Sequence, residues 1–189
     1  MTYTLITPPS AEPLTLAEVK AHLRLDGAEE DALLQSLVNT AREFLERETG
    51  LCLIAQTWRL YLDRWPQGGV IRILKSPVQE IKTVTVYGLE GEPVQVSLED
   101  HLLDGAGRPA RLWLRHTPVT GRTVNGIEID FSAGYGEAGT DLPDTLKRAM
   151  LIHIGQMFAF RGAISPDQQP PGIPDGYERL ISPFRMRRF

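Results

Sequence analysis

The chain has 189 residues, 42% of them hydrophobic, with 20 Lys plus Arg against 24 Asp plus Glu. These are the proportions of one ordinary globular domain or two small ones, not of a disordered chain. The net charge of −4 argues against a protein that coats nucleic acid with its whole surface. Cys52 is the only cysteine, which excludes an intrachain disulfide framework and a cysteine-rich zinc site.

The start, MTYTLITPPSAEP, lacks a basic segment followed by a hydrophobic core, so no signal peptide is predicted. The first helix signal is TLAEVKAHLRL, over about residues 15–25, where Thr15 and Glu18 have capping-box spacing. A second helix is predicted over 29–49, with Leu33, Leu34, Leu37, Val38, Ala41, Phe44 and Leu45 on its apolar face. Glu29, Glu30 and Asp31 crowd its first turn, as the helix dipole favours, and Gly50 is placed to end it in a left-handed conformation.

The period then changes to two. Trp58, Leu60 and Leu62 alternate with Arg59, Tyr61 and Asp63, IKTVTVY follows the same rule, and further strands are predicted at 70–74, 94–98, 111–114 and 126–131. Residues 56–132 therefore read as an antiparallel β region. Helical spacing returns over 143–161, with Pro143 suited to the first helical position and Leu146, Ala149, Met150, His153, Met157 and Phe160 on one face. The longest nearly uncharged apolar stretch, Ala149 to Phe160, falls here. It is well short of the roughly 20 residues that cross a bilayer, so no membrane span is predicted and the setting is cytoplasmic. Residues 163–176, rich in Pro and Gly, read as a linker. The chain closes on YERLISPFRMRRF, residues 177–189, with four arginines against Glu178 alone.

Chemistry-bearing patterns are few. GYGEAG, Gly134 to Gly139, fits a dinucleotide fingerprint in letters, but Asp141 and Pro143 place the helix start beyond the last glycine. In the true fingerprint the helix begins within the glycines and meets the pyrophosphate, so a plain strand-to-helix turn is the better reading. His22, His101, His116 and His153 have no His or Cys partner at metal-ligand spacing, and His153 suits a satisfied core or interface position. Cys52, between two leucines, reads as a small buried hydrophobe. No catalytic residue, cofactor or metal is expected. A nucleic-acid-binding module would use the C-terminal arginines with Phe184 and Phe189, and a nucleotide-dependent enzyme would use GYGEAG. The same tail, apolar anchors flanked by arginines, equally suits a protein groove with acidic edges. Thirteen residues that each lose roughly 1–2 kcal/mol of backbone freedom do not order by themselves, so the tail is expected to order by docking onto something else, with packing back on its own domain as the alternative.

In order and spacing, PLTLAEVKAHLRLD, AREFLERETG, QTWRLYLDRWP, SPVQEIKTVTVYG and FSAGYG with LPDTLKRAMLIHIGQMF resemble one family over nearly the whole chain. It is the head-tail connector, or adaptor, family of long-tailed bacteriophages and gene transfer agents. The resemblance implies an α+β fold: an antiparallel helical bundle with a β insertion in a connector domain, residues 1–162, followed by the linker and an extended C-terminal arm. It implies a homo-oligomeric ring of twelve copies in the particle neck, assembled in the host cytoplasm between the portal protein and a tail-side component such as a stopper or tail terminator. Double-stranded DNA would pass through the ring without being read, and no catalysis is implied. Carried onto this sequence, the portal-gripping arm comprises Tyr177, Arg179, Leu180, Ile181, Pro183, Phe184, Arg185, Arg187, Arg188 and Phe189. The candidate subunit-subunit contacts are Glu29, Glu30, Asp31, Arg42, Glu46 and Arg47.

Overall fold

The computed structural model describes residues 1–160 and 173–186. Two compact units emerge: a β unit of Met1–Ser10 and Ala55–Tyr135, and a helical unit of Ala11–Ile54 with the described residues from Gly136 onward.

In the helical unit, α1 (Leu16–Leu23) starts where the sequence places a cap. Thr15 Oγ1 accepts from the Glu18 N–H at 3.2 Å, and the Glu18 carboxylate accepts from the Thr15 N–H at 2.8 Å. Helix α2 (Asp31–Thr49) buries Leu34, Val38, Ala41 and Leu45, and Gly50 ends it at φ 72°, a left-handed geometry that costs glycine little. Leu33, Leu37 and Phe44, expected on the same face, lie at its margin and are only half-buried. Helix α3 (Asp144–Ala159) buries Leu146, Ala149, Met150, His153 and Ile154. Met157 is half-buried and Phe160, just past the helix end, is 43% exposed, so the apolar face is shorter than its sequence suggests. Helix α4 (Asp175–Ile181) packs on α3, and α1 packs on both α2 and α3.

The β unit holds two antiparallel sheets. The larger has the order β1 (Thr2–Thr7), β2 (Gln56–Leu62), β8 (Ile127–Ala133), β4 (Val78–Tyr87), β5 (Pro93–Gln95). The smaller has the order β3 (Val70–Ile73), β7 (Ala110–Trp113), β6 (Leu102–Asp104). Strands β1 and β6 are not foreseen by the alternation reading, and β5 is shorter than expected. Alternation puts Leu60, Ile129, Phe131 and Val84 of the large sheet, and Ile71, Ile73 and Leu112 of the small one, in the core. Tyr3 joins the two sheets: its ring meets Phe131 edge-on at 6.4 Å and its hydroxyl accepts from the Leu74 N–H at 2.9 Å. On the opposite face of the large sheet Arg59 holds Asp130 through two bonds of 2.6 and 2.8 Å and Glu128 at 3.0 Å.

Candidate functional site

The C-terminal segment differs most from its expectation. It is not an extended arm: Asp175–Ile181 is helical and Ser182–Phe184 adds a 3-10 turn. Pro174 occupies the N-cap position, and the α4 side chains four residues apart, Tyr177 and Ile181, are both 0% exposed. The physical reason is a ready-made cage within the same unit. The Tyr177 ring lies 6.1 Å from Phe44 of α2 and 5.3 Å from His153 of α3, and these two meet edge-on at 5.0 Å. At the rim Arg185 clasps Glu178 at 2.7 Å and Glu48 of α2 at 3.0 Å. Ordering α4 therefore draws on an aromatic core that the tail sequence alone does not contain.

What α4 leaves outward is a narrower surface than the ten-residue arm. Arg179 and Pro183 are exposed, whereas Leu180, Phe184 and Arg185 are half-buried. Arg187, Arg188 and Phe189 lie outside the described residues, as does most of the linker.

His153 is a core residue, as its helical position suggests, but among the described residues its buried Nδ1 has no hydrogen-bond partner, and neither has the buried Tyr177 hydroxyl. Burial pushes the His153 pKa down from its ordinary 6.5 and the Tyr177 pKa up, the latter further raised by Glu48 and Glu178. A histidine whose folded pKa is depressed favours the folded state while neutral. Its contribution is complete above pH 6.5 and is lost as pH falls from 6.5 toward the lower folded value. Urea unfolding at pH 7.5 and pH 5.5 should therefore show a loss of stability at the lower pH that shrinks in His153→Leu. An unchanged pH difference in that variant would remove His153 as its source.

The six acidic and basic candidates lie on α2 or in the turn just before it. Asp31 pairs with Lys20. Arg42 donates to Glu12 at 2.9 Å and lies 3.5 Å from Glu46. Glu46 is 8% exposed and accepts from the Leu53 N–H at 2.7 Å. These three are committed within the subunit. Glu29 and Arg47 are exposed, Arg47 stacking 5.2 Å over Phe44, and Glu30 is half-buried at the helix start. Sequence spacing put Glu46 on the polar side of α2, and it carried no signal of the Leu53 N–H that it caps beyond the helix end.

The space beside Gly136 and Gly139 of GYGEAG is occupied by the chain's own atoms. A Cβ on Gly139 would sit 2.2 Å from the Pro13 carbonyl oxygen, and one on Gly136 would sit 2.1 Å from Asp141 Oδ2. Helix α3 begins at Asp144, after a 3-10 turn at Gly139–Asp141, so the strand-to-helix turn is the geometry present. Cys52 is buried, 1% exposed.

With four α-helices among the described residues of one unit and antiparallel sheets in the other, the chain has an α+β fold like that of a chain in gene transfer agent neck structures. A chain in the neck of an empty GTA particle, computed with C6 symmetry, superposes at TM-score 0.83 with 26% identity, covering 100% of this chain and 97% of that one. Chains in the virion of a native GTA particle and in the neck of a native GTA particle computed with C12 symmetry match with the same coverage. Their TM-scores are 0.82 and 0.80, with identities of 26% and 27%. Residues 13–91 match the model of the Phage gp6-like head-tail connector protein family. The matched stretch spans α1, α2 and β2 to β4, and its description is that of the head-tail connector family that the sequence resembles. The comparison with curated proteins gives no match.

Proposed function

We propose that this chain is a head-tail connector subunit, twelve copies of which form a ring that joins the portal to the tail of a phage or gene transfer agent particle and lets double-stranded DNA pass. The observation that carries the reading is the full-length likeness to a chain in a native GTA neck with C12 symmetry. In this reading the helices supply the bundle around which the ring closes, and Glu29, Glu30 and Arg47 contribute to subunit contacts. Exposed Arg179 and Pro183, with half-buried Phe184, grip the portal together with Arg187, Arg188 and Phe189, while the β unit meets the tail-side component. Assembly takes place in the host cytoplasm. Residues 11–54 carry nine acids against four bases, and such a surface near the lumen repels phosphate and keeps passing DNA from sticking.

The test is a pair of variants on the exposed side of the arm. Arg179→Glu with Pro183→Ala should leave unfolding stability within about 0.5 kcal/mol of the parent, as surface changes do. The same variant should lose co-sedimentation with portal rings at least tenfold. Portal binding unchanged from the parent would refute the arm assignment. Tight DNA binding with a steep salt dependence, abolished by deleting only residues 187–189 together with Arg179→Glu, would replace the connector with a nucleic-acid-binding module.

A further inference from the structure

The outer face of the small sheet is organised in rows. The register sets Val70 of β3, Trp113 of β7 and Leu102 of β6 side by side. All three point outward, with exposures of 40%, 38% and 65%. The next outward row is Arg72, Arg111 and Asp104. Directly opposed residues have Cβ atoms about 5 Å apart, and like charges placed so destabilise a sheet. Asp104 offsets this for Arg111, whose guanidinium it accepts from at 2.7 and 3.0 Å. Arg72 makes no ion pair among the described residues. Beside it opens a hollow of about 480 Å³, lined in part by Val70, Arg72 and Arg111. An apolar row holding a tryptophan, next to an arginine pair short of one carboxylate, has the composition of a protein-binding hot spot.

The geometry points to an acidic, apolar surface of a second copy of this chain as the occupant: Glu29, Glu30, Leu33 and Leu37 at the start of α2. This rests on the ring reading above, because a head-to-tail ring joins two different surfaces of one chain. The charge supports the choice. Residues 11–54 carry nine acids against four bases, whereas residues 55–135 carry nine of each. Leu33 and Leu37, half-buried and four residues apart on α2, supply an apolar strip, with exposed Glu29 and half-buried Glu30 one turn before Leu33. A carboxylate from that strip would complete the Arg72–Arg111 pair while the leucines meet Trp113. Phosphate is a poorer occupant, since Asp104 lies in the arginine row and Asp100 is bonded to Arg115.

The test uses the full chain with Trp113→p-benzoylphenylalanine, mixed as equal parts of normal and heavy-isotope copies, irradiated, and mapped by mass spectrometry while electron microscopy records rings. Mixed-isotope cross-links from position 113 to residues 29–37 are expected, reduced at least tenfold by Arg72→Glu and regained when Glu29→Arg and Glu30→Arg are added. Rings with cross-links elsewhere or none would overturn this contact and leave the ring reading standing. No cross-links, with rings absent from the unsubstituted chain as well, would overturn both.

Discussion

Tyr177→Ala should cost about 3 to 5 kcal/mol of α4 docking, the usual loss when a fully buried aromatic is truncated. Tyr177→Phe, in contrast, should be neutral or stabilising by up to about 1 kcal/mol. The difference comes from the hydroxyl, which is buried with no hydrogen-bond partner among the described residues, so that its lost hydration is not offset there. The ring, in its cage of Phe44 and His153, carries the favourable part. Because α4 is seven residues long and joins the core through one face, its loss is a local opening before it is global unfolding. Hydrogen exchange is therefore the measurement. In Tyr177→Ala, residues 175–186 should exchange as an open segment while Leu34 to Leu45 keep their protection. Retained protection over 175–186 would mean that Arg185 with Glu48 and Glu178, not the cage, holds the helix.

That balance bears on the proposed arm. A segment that grips a portal must present apolar and basic groups outward, yet Tyr177 and Ile181 already have partners within the subunit. The Tyr177 hydroxyl and His153 Nδ1, both buried and without a hydrogen bond among the described residues, weaken the docking at its centre. The arrangement holds α4 in register without using Arg179 or Pro183, which stay exposed.

The long elements were legible because each repeats its signal. Helix α2 shows apolar spacing over five turns and ends in a glycine, β2 buries Leu60 and Leu62 in alternation, and β4 does the same with Val84 and Val86 past its two bulges. Helix α4 has only one i, i+4 pair, Tyr177 and Ile181, behind a proline cap, and so short a helix does not form without tertiary contacts. What fixes it lies on α2 and α3, far away in sequence. Strand β1 fails for a related reason. It is an edge strand with five of six residues exposed, and its one pairing partner, β2, lies more than fifty residues on. The small sheet's outward row was invisible as a surface because Val70, Leu102 and Trp113 meet only through register.

Glu46→Ala should be the other large loss, about 2 to 4 kcal/mol, although spacing alone would rank it as a surface change. Removing the carboxylate leaves the buried Leu53 N–H without its acceptor, a cost of about 1 to 3 kcal/mol. It also takes one of the anions from Arg42, whose side chain is 12% exposed. Glu12, bonded to Arg42 at 2.9 Å, remains, so the full 3 to 5 kcal/mol of an abandoned buried charge is not reached. Glu43 is the control. Its side chain is 72% exposed and 3.9 Å from the same guanidinium, so Glu43→Ala should change stability by no more than about 0.5 kcal/mol. Glu46→Gln should fall between, since an amide oxygen can still accept from Leu53 while the charge is gone. Chemical denaturation of the three variants orders them. A Glu46→Ala loss no larger than that of Glu43→Ala would return Glu46 to the surface and reopen it as a subunit contact.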